Sequence, residues 1–192
     1  MSSMSESFMT PCAQHWFGTD ELGRDIFSRV IDGTKISLFV GFAVVVFSAG
    51  IGVIIGAFAG YKGGAVDTVI MRFMDIMLST PSILLAITLM AALGKGMDKA
   101  IIAIGVVSIP EYARITRGSV LSAKESDYAQ AAKVVGNKDK RIIFKHILPN
   151  IISPIIVRAT LGVSSAIMDT AALGFLGLGV QPPMAEWGDM LG

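Results

Sequence analysis

Charged positions divide this chain into long uncharged runs. Between Lys35 and Lys62 the 26 residues Ile36–Tyr61 carry no charge, and between Asp75 and Lys95 another 19, Ile76–Gly94, carry none. A membrane-spanning helix needs about 20 mostly apolar residues, because each rises about 1.5 Å against a hydrocarbon core of about 30 Å. Both runs therefore predict spans, at about 36–61 and 66–94. A third run, Ala100–Pro110, extends through Tyr112 and Ala113 if Glu111 faces protein or water, which gives a span over about 99–117. A fourth, about 151–180, is apolar except for Arg158 and Asp169. The pattern predicts an all-α fold, a polytopic transmembrane helical bundle.

Ahead of the first span, Phe17–Asp25 is polar and glycine-punctuated, and Leu22, Ile26 and Val30, with Phe27 and Ile31 beside them, repeat at helical spacing. We expect an amphipathic helix that Gly33 ends, lying along the outer surface. Residues 1–35 then form an external polar segment with an interfacial helix, and 36–192 a transmembrane domain. Lys and Arg accumulate in cytoplasmic loops. Segments 61–75 and 111–150 hold ten basic residues, against five basic and eight acidic on the other side, which places the 118–150 loop inside. Four spans put both ends outside, yet the first 20 residues offer no apolar anchor. We expect a longer subunit with one helix before this sequence and another after Gly192.

Composition narrows the class. Hydrophobic residues make up 53% and charged ones 16%, and the mean hydropathy of +0.65 removes disordered and ordinary soluble classes. A net charge of +1 gives no global attraction to nucleic acid. One cysteine, Cys12, excludes an intramolecular disulfide, and two histidines make a histidine metal cluster improbable, so no metal or cofactor is expected.

Within the spans, Gly52, Gly56 and Gly60, with Ser48, form a smooth row suited to close helix packing. Arg72 and Asp75 are spaced to pair along one helix. Pro81 predicts a kink in the second span. Arg158 and Asp169 share a helix face about 16 Å apart along the axis. Facing lipid, each costs about 2.5–3.5 kcal/mol, so both should face a pathway or an interhelical partner, two readings of equal weight.

The inner loop is the most specific feature. Tyr128-Ala-Gln-Ala-Ala-Lys-Val-Val-Gly136, then Asn137 and Ile142–Pro149, reads as helix, turn, helix. Gly136 suits the left-handed position after a helix, Asn137 can cap the next one, and Pro149 stops the continuation. Ala131, Ala132 and Val135 offer a small apolar surface for docking into a partner's groove. Lys133, Lys138, Lys140, Arg141 and Lys145 surround it, and a basic loop resting on anionic lipid heads is an equally open reading.

At this loop the sequence resembles the inner-membrane permease subunits of binding-protein-dependent ABC importers, whose signature is Glu-Ala-Ala, three residues, Gly, nine residues, Ile-x-Leu-Pro. Here it stands as Gln130-Ala131-Ala132, Gly136 and His146-Ile147-Leu148-Pro149, departing at Gln130 and His146. Gly18–Asp25, Tyr61–Asp67, Ala171–Pro183 and Glu186-Trp187-Gly188 look like the dipeptide, oligopeptide and nickel permease group, most of all the C-type subunit of dipeptide importers. The likeness runs from about residue 11 to the end.

The resemblance implies a pathway shared with a second permease subunit in the bacterial inner membrane, two ATP-binding subunits, and an external solute-binding protein that delivers peptide. It implies that Tyr128, Gln130, Ala131, Ala132, Val135, Gly136, Leu148 and Pro149 form the ATPase-coupling surface. No ATPase activity of its own is expected, and no phosphate loop occurs, since Gly94-Lys95-Gly96 lacks the upstream glycine and the hydroxyl residue. The alternatives are a nickel importer of the same group, or a fragment of an ion-coupled transporter using Arg158 and Asp169.

Overall fold

In the computed structural model the described residues are 6–180 and 184–191; Gln181, Pro182 and Pro183 of the Ala171–Pro183 motif lie outside them. Helix α1, Ile26–Lys62, opens where the Asp25 carboxylate accepts from the Ser28 amide at 2.8 Å, which satisfies one of the donors a helix start leaves free. It runs unbroken for 37 residues. The expected interfacial helix ending at Gly33 is therefore corrected: the amphipathic stretch is the first turns of α1. Gly33 is buried because the Trp187 indole lies where a side chain would project, and Trp187 Nε1 donates to the Val30 carbonyl at 3.2 Å. Tertiary packing supplies what the glycine lacks, so the helix does not stop.

The glycine row packs as its spacing predicts. A side chain at Gly52 would meet Tyr112, one at Gly56 the Ala113 backbone, and one at Gly60 the Arg117 backbone. All three partners lie on α4, Met97–Ala123. Backbones of α1 and α4 thus touch directly, and α4 becomes the central support of the bundle.

Helices α2, Gly64–Ser79, and α3, Ser82–Leu93, occupy the expected second span. They meet at 94°. The kink expected at Pro81 is a full break, because Thr80 is held extended ahead of the proline. The intrahelical Arg72–Asp75 pair does not form. Asp75 instead meets Arg114 of α4 at 2.7 Å, and Asp67 accepts from Nε and Nη2 of Arg117, each at 2.5 Å. Cross-helix geometry wins because α4 presents its arginines one turn apart along the α2 contact.

Helix α5, Asp127–Val134, and the short α6, Asp139–Arg141, lead through a wide π turn, Ile142–Ile147, and a 3₁₀ turn, Leu148–Ile151, into α7, Ile152–Phe175. The path from Asp139 to Phe175 stays helical, which corrects the stop expected at Pro149. Proline sits there in the first turn of the 3₁₀ segment, where its missing N–H costs little. Helix α1 and the Asp139–Phe175 path are each long and apolar enough to cross a bilayer, and α2 with α3 qualify only as a bent pair. Helix α4 carries Glu111, Arg114 and Arg117, each in a cross-helix ion pair.

After α7 the chain folds back. Glu186 is fully buried, accepting from the Gly188 and Asp189 amides at 2.9 and 3.1 Å and from the Ser37 hydroxyl at 3.4 Å. Gly174 leaves room for its carboxylate. The Glu-Trp-Gly segment thereby closes the end of the bundle opposite the basic loop.

Candidate coupling surface

Helix α5 stands out from the basic end of the bundle and has two unlike faces. Ala129 and Ala132 are buried against Ile142, Ile143 and Ile147 of the π turn, with Ala57 of α1 and Val120 of α4 behind them. Small residues let α5 lie close to that platform. On the outer face Val134 and Val135 are 86% and 81% exposed, with the partly exposed Tyr128 beside them, and Ala131 is exposed between. An apolar stripe this open on an eight-residue helix has no use within the chain itself.

The end of α5 is built as the sequence suggests at one position and otherwise at the next. Gly136 has φ of +85°, and its amide reaches the Lys133 carbonyl at 3.0 Å, the left-handed close of a helix. Asn137 does not cap α6, which begins after Lys138. Its amide and its side chain both donate to the Ala132 carbonyl, at 3.2 and 3.0 Å. The reason is local: beyond a left-handed glycine the following residue points back over the helix just finished. Gln130 donates its side-chain amide to the Glu125 carbonyl at 3.0 Å, a bond that a glutamate carboxylate at this position of the family signature has no hydrogen to make.

Three polar contacts tie this unit to α1. Asp139 takes the Lys62 ammonium at 2.7 Å and the Tyr61 hydroxyl at 3.3 Å. Lys124 donates to the Gly60 carbonyl at 3.2 Å, complementing the negative end of α1. Leu148 is half-buried against the same apolar cluster, while Pro149 is exposed beyond it.

The Lys62 hydrogen bond, reinforced by the charges of Lys62 and Lys133, holds the Asp139 carboxyl below its ordinary value of 3.8. A carboxylate held low stabilises the fold fully above its unfolded value, and that contribution disappears as pH falls through the lowered one. Protease susceptibility of the 125–150 segment should therefore be flat above about pH 4 and rise below it. Asp139→Asn should be more susceptible at neutral pH and lose that rise; an unchanged profile would show that the tether does not hold the loop.

Of the two charges in the fourth run, Arg158 pairs with Glu111 of α4 and lies 5.5 Å over the Tyr112 ring. Asp169, half-buried three turns further on, makes no hydrogen bond or ion pair among the described residues. The structure does not bring the two together. Val134, the third member of the Tyr128, Ala131, Val134 progression, is exposed on the outer face although the motif does not single it out, whereas Ala132, expected on that face, is buried.

The family described as binding-protein-dependent transport system inner membrane component matches residues 52–192. The chain belongs to this family. It is 52% identical over 187 residues to the dipeptide transport system permease protein DppC of Alkalihalophilus pseudofirmus, covering 97% of this chain and 62% of that protein. It is 50% identical to the di/tripeptide transport system permease protein DppC of Pseudomonas aeruginosa, with 93% and 59% covered. For the probable D,D-dipeptide transport system permease protein DdpC of Escherichia coli the figures are 47%, with 98% and 63% covered. This inner-membrane component thus spans about three-fifths of the length of these relatives. A solved inward-facing structure of the MetNI methionine ABC transporter matches it with a TM-score of 0.72 at 20% identity, over 81% of this chain and 77% of that one. That likeness shows the permease fold.

Proposed function

We propose that this chain is part of the permease subunit of an ATP-driven importer of di- and oligopeptides, and that α5 is the element it inserts into an ATP-binding partner. The observation that carries the proposal is the two-faced α5. Its inner alanines are locked to α1, α4 and the π turn, while Ala131, Val134 and Val135, with part of Tyr128, face outward uncovered by the described residues. A helix held so firmly on one side passes displacement at its outer face to the bundle as a rigid body. ATP-driven closure of two nucleotide-binding partners would move α5, and α1 and α4 would follow through Asp139, Lys62 and Lys124.

With the 118–150 loop cytoplasmic, the Glu186–Trp187 end faces outward, where a solute-binding protein would deliver substrate. The pathway would be completed by a second permease subunit. Peptide is favoured over nickel because the relatives at 45–52% identity are named for dipeptide, tripeptide, oligopeptide and glutathione transport.

Co-purification with the ATP-binding subunits tests this. Ala131→Arg and Val134→Glu place charge on the outer face without touching the buried one, and each should cut ATPase recovery at least tenfold while the chain remains in the membrane, as central interface positions do. Recovery equal to that of the native chain would remove α5 as the coupling element.

A further inference from the structure

The side of the bundle formed by α1, α2 and the π turn carries an open trough that the coupling reading leaves unused. One part, about 640 Å³, is walled by Ile54, Phe58, Ile143 and Phe144, with Lys138 and Lys140 on its rim. A second part, about 530 Å³, continues between α1 and α2 along Ile54, Phe58, Val69 and Phe73. Ile54 and Phe58 line both, so the two parts adjoin along α1. Apart from Ile143, which is buried, these apolar side chains are about half exposed or more. From Lys62 to Ile54 is eight residues, about 12 Å along the helix axis, which matches the depth of most of one leaflet's hydrocarbon.

The rim is chemically uneven. Lys62 is neutralised by Asp139 at 2.7 Å. Lys138 and Lys140 make no ion pair and no side-chain hydrogen bond among the described residues, and both are exposed. Two unpaired ammonium groups therefore stand at the mouth of a trough with an almost wholly apolar floor. A packed helix from another subunit would fit the floor but gain nothing from the lysines unless it carried acids at that level. An amphiphile with an anionic head and an alkyl tail answers both features at once.

We infer that this trough is a binding site for one anionic phospholipid, its phosphate between Lys138 and Lys140 and an acyl chain along Phe58 and Phe73. That the lipid belongs to the inner leaflet rests on the orientation proposed above; the site itself does not. Because Ile143 and Phe144 belong to the turn that carries α5, a bound lipid would brace the coupling unit against α1 and α2.

The test uses the full chain, purified from membranes and stripped of lipid, with phosphatidylglycerol or phosphatidylcholine added back. Native mass spectrometry reads retained lipid and thermal unfolding reads protection. Phosphatidylglycerol should bind and protect more strongly, and Lys138→Ala with Lys140→Ala should weaken its binding about 30-fold, about one decade or less per lysine. Removing equal charge at the far end with Lys95→Ala and Lys99→Ala should change nothing. A photoreactive phenylalanine analogue at Phe144 should yield a lipid adduct in native membranes. Equal retention of the two lipids, an undiminished preference in the lysine variant, or a protein adduct at Phe144 would each overturn the site. ATPase recovery measured on the same lysine variant separates this outcome from failure of the coupling reading.

Discussion

Gly56→Leu is expected to prevent recovery of folded chain, or to lower its stability by about 3 kcal/mol or more. Overpacking costs about 1–3 kcal/mol where side chains can shift aside, but a side chain at Gly56 would run into the Ala113 carbonyl and its neighbouring backbone atoms. Backbone of a packed helix cannot rotate away. Helices α1 and α4 must then separate along their length, and Gly52 and Gly60 lose their contacts as well. Gly50→Leu is the control: it lies on the same helix with nothing within 4 Å of a new side chain, and should be neutral or slightly stabilising, since glycine is a poor helix former. Thermal unfolding in detergent compares them, and equal midpoints would show that the α1–α4 contact is looser than described.

Asp67→Ala is expected to cost about 3 kcal/mol, the low end of the range for breaking a buried ion pair. Asp67 has 12% of its side chain exposed and Arg117 33%, so water screens the arginine in part. The loss would exceed that of a surface pair because Nε and Nη2 of Arg117 are both left without acceptors on the α2 side. Helix α2, short of buried side chains other than Asp67 and Met74, should then detach from α4, visible as faster hydrogen exchange across 64–79. Arg117→Asp combined with Asp67→Arg should restore part of the protection. If Asp67→Ala alone leaves exchange unchanged, the pair does not anchor α2.

Periodicity and charge exclusion made the helices legible, and the motif spacing made α5 and its closing Gly136 legible. Helix ends were harder, because they are decided by partners distant in sequence. Nothing near Gly33 reveals that Trp187 will fill its place, and nothing near Asp75 reveals that Arg114 will outcompete Arg72. The inward turn of Ala132 escaped for a related reason: alanine suits both a docking face and a buried one, and only the isoleucines of 142–147 decide between them. Paired charges showed the same limit. Arg158 and Asp169 invited a joint role on one helix face, whereas Glu111 of α4 takes the arginine alone.

The wide turn at Ile142–Ile147 has a geometric consequence well beyond the loop. Successive residues of an α-helix are offset by about 100° around its axis, so a turn that accommodates one residue more than usual sets the angular phase of everything after it. Removing a single residue from this turn would rotate α7 by about that angle, swinging Arg158 off Glu111 and Gly162 away from Val45 and Tyr112. The facing of the last long helix is thus dialled at the basic end of the bundle, by the same segment that seats α5.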